Sequence, residues 1–150
     1  MKIGGKRVTK NYEILVLPRP DGDLVIKAQS ASVNEEFEKR LPPAIPPMVT
    51  TKEGSRPDYS DKNYLAIEAD RDAKRFSLLV LRSTEASDIE WETVNIDDPS
   101  TWANWRKEMG DNGLSEVEIN RIINCVLAAN SLDEDKIKEA REAFLRGQGA

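Results

Sequence analysis

Ser115-Glu116-Val117-Glu118-Ile119-Asn120-Arg121-Ile122-Ile123-Asn124-Cys125-Val126-Leu127-Ala128-Ala129-Asn130-Ser131-Leu132-Asp133-Glu134 contains two helix starts in succession. Ser115 and Glu118 have the spacing of a capping box, in which hydroxyl and carboxylate satisfy each other's backbone amides. Ile119, Ile122, Ile123, Val126 and Leu127 then recur at helical spacing. Asn130 ends that helix, and Ser131 to Glu134 forms a second box. The last helix carries Leu132, Ile137, Ala140, Ala143, Phe144 and Leu145. A link as short as Asn130-Ser131 predicts an αα-hairpin that buries both Ile122 and Phe144.

Upstream the pattern stays helical. Asp97-Asp98-Pro99-Ser100-Thr101-Trp102 is a helix start, with an aspartate to cap and proline where a missing amide hydrogen costs nothing. That helix presents Trp102 and Trp105 and stops by Gly110-Asp111-Asn112-Gly113. Before it, Ile89, Trp91, Val94 and Ile96 read as an ordered loop with Trp91 in the core, or as a short strand. From about residue 61, with Asp61 or Ser60 as cap, a longer amphipathic helix carries Leu65, Ala69, Ala73, Phe76, Leu79 and Val80 on one side and ends at Ser83 to Ser87.

The N-terminal third differs. Tyr12-Glu13-Ile14-Leu15-Val16-Leu17 and Leu24-Val25-Ile26 are rich in strand formers and flank Pro18-Arg19-Pro20-Asp21-Gly22, which predicts a β-hairpin. A lone hairpin is marginal in water, so it must pack on the helices or pair with another chain's edge. Ser32 and Glu35 have capping-box spacing for a short helix with Val33, Phe37 and Leu41 on one face. Pro42-Pro43-Ala44-Ile45-Pro46-Pro47-Met48 then places four prolines in seven positions. Residues 42–60 are expected to be extended and polyproline-like. They form either a stiff spacer or a strap that docks Ile45 and Met48 in a groove on this or another chain. The expected architecture is α+β and mainly helical. An arm, hairpin and short helix (residues 1–41) lead through a proline-rich linker (42–60) to a helical domain (61–150).

Composition narrows the chemistry. The chain has 150 residues, no histidine and one cysteine, so the commonest general base and zinc ligand is missing. A structural zinc site and Ser-His-Asp or Cys-His nucleophile arrangements are excluded. One thiol forms no internal disulfide, which fits a reducing compartment. A net charge of −5 argues against non-specific nucleic-acid binding. No apolar run is long enough for a membrane span, and none follows the basic start as an export signal would require.

Charge is nevertheless polarised. Lys2, Lys6, Arg7 and Lys10 have no acid among residues 1–10, and Glu85, Asp88, Glu90, Glu92, Asp97 and Asp98 have no base among residues 85–98. Such an arm and loop suggest contacts between subunits or with a partner, unless both are simply solvated. Cys125 reads as a small buried hydrophobe. The aspartate-rich spots read as helix caps and lack the alternating ligands of a calcium loop. No catalytic, cofactor or metal site is expected. Trp91, Trp102 and Trp105 read as core or as interface anchors. The candidate partner-binding residues are Ile45, Met48, Trp102 and Trp105.

The ordered series carries a resemblance. It runs from Phe37 and the Leu41-Pro42-Pro43 and Pro46-Pro47 strap through Ile89-Glu90-Trp91-Glu92-Thr93-Val94 and Asp98-Pro99-Ser100-Thr101-Trp102. Trp105-Arg106-Lys107-Glu108, Gly113-Leu114-Ser115, Glu118-Ile119, Asn130-Ser131-Leu132-Asp133-Glu134 and Ala140-Arg141-Glu142-Ala143-Phe144-Leu145 follow. Over most of residues 33–146 the chain resembles the small tail assembly chaperones encoded among the tail genes of tailed bacteriophages. The resemblance implies a mostly helical, non-enzymatic protein without cofactor. Its partners would be the tape-measure protein, tail-tube subunits or copies of itself, met in the host cytoplasm. Some similar phage proteins remain in the virion as structural parts.

Overall fold

The structure, a computed structural model, describes residues 1–148. Three separate two-stranded antiparallel sheets precede and interrupt five α-helices, an α+β and mainly helical chain. The strands are β1 (Lys2–Ile3), β2 (Lys6–Arg7), β3 (Tyr12–Leu17), β4 (Leu24–Gln29), β5 (Met48–Thr51) and β6 (Gly54–Pro57). The helices are α1 (Asn34–Arg40), α2 (Lys62–Ser83), α3 (Asn104–Asp111), α4 (Glu116–Ala129) and α5 (Glu134–Gln148), with 3-10 turns at Glu85–Ser87 and Pro99–Thr101.

The expected hairpin is β3–β4, paired Leu17 with Leu24 and Tyr12 with Gln29. Its inner face places Leu17, Ile26 and Ala28 against α4, whose Ile119, Ile122, Val126 and Ala129 are buried. This corrects the αα-hairpin. α4 has one apolar side, and the sheet, α2 and α3 cover it, so none is left for α5. The capping box at Ser115 forms as expected, with Glu118 N–H donating to Ser115 Oγ and Ser115 N–H to Glu118 Oε1, both at 3.1 Å. The second box does not. Ser131 turns left-handed (φ 56°), and Asp133 Oδ1 caps α5 by accepting from Lys136 N–H. Every described side chain of α5 from Glu134 to Gly147 is exposed, including Phe144 at 62%.

Asp61 caps α2, its Oδ2 accepting from Tyr64 N–H at 2.9 Å. Only the C-terminal half of α2 enters the core, through Leu78, Val80 and Leu81. Leu65, Ala69 and Ala73, expected on the buried side, are exposed: the side of that half facing α1 is the one that carries Arg71. Ser32 does not cap α1 either. Val33 takes the cap position without a side-chain bond, since its burial beside Phe37 sets where the helix begins. Phe37 is fully enclosed, with the guanidinium carbons of Arg71 and Arg75 at 5.0 and 4.5 Å from its ring centre. Arg71 also donates to the Leu41 carbonyl at 2.9 Å, fixing the chain where the prolines begin.

The proline-rich segment is also corrected. Extended backbone ends at Pro47, and β5–β6 forms a second hairpin, registered Met48 with Pro57 and Thr51 with Gly54. The β-branched run Val49-Thr50-Thr51 favours strand, and Gly54 (φ 113°) supplies the turn. A third small hairpin, β1–β2, turns at Gly4-Gly5 within the basic arm.

Polar bonds lock the core segments together. Asn130 Nδ2 donates to Ser83 Oγ at 2.8 Å while its Oδ1 accepts from Ala31 N–H at 2.9 Å, so the end of α4 is tied to α2 and to the segment leading into α1. Arg82 of α2 holds Glu36 of α1 through both carboxylate oxygens.

Candidate functional site

Trp102 and Trp105 are not surface anchors. Trp102 is 0% exposed and donates Nε1–H to the Ile96 carbonyl at 2.9 Å; Trp105 is buried with Nε1 bonded to Ser77 Oγ at 3.2 Å. Both complete the core beneath α2, because the Asp98 cap at the 3-10 turn directs them inward. Trp91 is half-buried in the same cluster. Ile45 (89% exposed) and Met48 stand in the open, so the proline segment is not docked on its own chain.

Other apolar surfaces were not anticipated. The outer face of β3–β4 exposes Tyr12, Ile14, Val16 and Val25, the side opposite the buried Leu17 and Ile26. The signal was present in the sequence: Ile14-Leu15-Val16-Leu17 is apolar on both strand faces, although a two-stranded sheet packed on helices has only one face covered. α5 adds Ile137, Phe144 and Leu145. Beside its start lies a cleft of about 730 Å³, whose lining includes Ala31, Val33, Phe76, Leu79 and Leu132. A groove of about 430 Å³ lies along β4, between Leu24 and Trp91.

The carboxylates are engaged in holding backbone. Glu108 is nearly buried and accepts from the amides of Glu92 and Thr93, which orders the acidic loop. Its hydrogen bonds, the Thr93 hydroxyl first, hold it below the usual carboxylate range, as a stabilised anion. Burial pushes the Cys125 thiol up, away from thiolate. Among the described residues no group of three metal-ligating side chains forms, and no helix is long and apolar enough to cross a membrane.

Arg19 in the β3–β4 turn grips Glu118 through both oxygens, at 2.7 and 2.9 Å. That pairing, with the Ser115 amide, lowers Glu118 from 4.5 to about 2. Because the folded value lies below the unfolded one, this stabilisation is complete above about pH 4.5 and is lost as pH falls towards 2. The melting temperature of the wild type should therefore fall more steeply over that window than that of Arg19→Gln. Parallel acid titrations of thermal melts check this.

No protein-family model matches the sequence, no curated protein matches it, and no solved structure matches its fold.

Proposed function

We propose that this chain is a non-enzymatic protein–protein interaction factor in bacteriophage tail assembly, a chaperone that holds an amphipathic segment of the tape-measure or tail-tube protein in the host cytoplasm. The observation that carries this reading is α5, an amphipathic helix with Ile137, Phe144 and Leu145 uncovered, two residues beyond Leu132 in the 730 Å³ cleft. A helix that contributes nothing to its own core, beside an apolar cleft, is the arrangement by which helical partners are bound. The order of sequence motifs described above supplies the phage context.

The projecting β5–β6 hairpin supports a second reading, a structural virion component. Its side chains are largely exposed, and such an arm gains most by ordering against neighbouring subunits.

Quantitative mass spectrometry of gradient-banded particles separates the two. Abundance in the lysate with absence from particles supports the assembly factor; a fixed copy number per capsid protein overturns it in favour of the virion component. Phe144→Asp should also abolish co-purification with the tape-measure or tail-tube protein. Undiminished co-purification would remove α5 as the binding element.

A further inference from the structure

The groove along β4 and the N-terminal arm have complementary chemistry. The groove floor is apolar, formed by Leu17, Leu24, Ile26, Ile89, Trp91 and Met109, and its rim carries Asp23, Glu90 and Glu92. Among the described residues, no lysine or arginine lines it. The arm presents the opposite pattern. The β1–β2 register, Ile3 with Lys6 and Lys2 with Arg7, places Met1, Ile3 and Val8 on one face with Lys6, and Lys2 and Arg7 on the other. Met1, Ile3 and Val8 are all exposed. Among the described residues, none of Lys2, Lys6, Arg7 and Lys10, and none of Asp23, Glu90 and Glu92, makes an ion pair within the chain. Two unpaired sets of opposite charge, each beside uncovered apolar surface, are matched to one another.

The backbone is matched too. Lys27 turns its N–H and C=O away from β3, for both bond Ser87 Oγ, at 2.8 and 3.0 Å. Strand backbones alternate, so Val25, two residues earlier and lining the groove, turns its N–H and C=O to the same side, beyond the stretch that Ser87 covers. That edge accepts another strand.

We propose that the β1–β2 hairpin of one copy seats in the β4 groove of a second copy, with Met1, Ile3 and Val8 on the apolar floor, its cations against Asp23, Glu90 and Glu92, and a strand paired at Val25. Chain geometry favours a second copy over the chain's own arm. Asn11 is held to the end of α4 by bonds to the Ala128 and Ala129 carbonyls, both 3.2 Å. Val8, paired with Met1, is only three residues from Asn11 and reaches about 10 Å at ~3.4 Å per residue, while the groove lies at the far end of β3, about 17 Å away. The contact joins two different surfaces, so it is head-to-tail and propagates to rings or filaments. It goes beyond the tail-protein reading and stands whether or not that reading does.

The test is light scattering coupled to size exclusion on the full chain over a dilution series, in low salt and in about 1 M NaCl, where the screening length is about 3 Å. Wild type should associate with concentration, and less in high salt. K6E/R7E and E90K/E92K, all at exposed positions, should each weaken association about tenfold or more, since each sets like charge against like. Mixing the two variants should restore association, because each supplies the surface that complements the other. A monomeric wild type at every concentration, including one whose own arm fills the groove, overturns the proposal. So do variants that associate as wild type does, or a mixture that fails to recover while both variants keep wild-type circular dichroism.

Discussion

Ile122→Asp is expected to leave the chain without a cooperative thermal transition, while Phe144→Asp should melt as the wild type does. Ile122 is 0% exposed, on the buried side of α4 that packs against β3, β4, α2 and α3, and it belongs to the cluster of buried apolar side chains. A carboxylate at that position is either buried without a partner or held protonated at the expense of its ordinary pKa, in addition to the lost packing of the isoleucine. The combined cost, about 5 kcal/mol or more, is between a third and all of the roughly 5–15 kcal/mol that keeps a domain of this size folded. Phe144 contacts solvent, and an exposed substitution outside a cap or ion network changes stability by only about 0.5 kcal/mol. Circular dichroism during heating checks both. Equal loss of structure in the two variants would mean that α5 is packed after all. Wild-type melting of Ile122→Asp would remove α4 from the core.

The second large effect is at Trp102. Truncation to alanine empties the largest fully enclosed side-chain volume in the core, at a cost of about 3–5 kcal/mol. It also leaves the Ile96 carbonyl without its indole donor. For a chain of this length, the melting temperature should fall by roughly 6–20 °C. Trp102→Phe keeps most of the ring but still loses the bond, so it should cost about 1–3 kcal/mol. A phenylalanine variant as unstable as the alanine variant would assign the whole effect to that single hydrogen bond. If the alanine variant lost less than about 1 kcal/mol, Trp102 would not be core, and the surface-anchor expectation would return.

Local signals are legible in the sequence where they act through their own neighbours. Asp61 and the Ser115–Glu118 box cap what their spacing predicts, because a cap is a bond between residues two or three apart; Asp98 caps only a 3-10 turn, and α3 begins later, at Asn104. The β3–β4 turn is likewise set by Pro18 to Gly22. Errors arose where two local signals competed for one surface. α5 has an apolar stripe and a short link, yet β3–β4 from the other end of the chain covers α4 first. Ser32 has the right spacing for a cap, but burial of Val33 moves the start of α1. Four prolines predict extended chain, but Val49-Thr50-Thr51 and Gly54 form a hairpin just beyond them. Residue type alone favours tryptophan as an anchor, yet Trp102 and Trp105 are core. Ile45 and Met48, named from the proline-rich stretch, are exposed, whereas the exposure of Ile14 and Phe144 follows only from which faces are covered.

The three tryptophans all lie between residues 91 and 105, two enclosed and one half-buried in a single cluster. None is on the arm, the β5–β6 hairpin or α5. The intrinsic emission of this protein therefore reports one region only. It should shift to longer wavelength when the core melts and stay dark to a partner that settles on α5. An emission change on adding a partner, at constant helicity, would reveal that binding is transmitted inward to the cluster that holds the helices together.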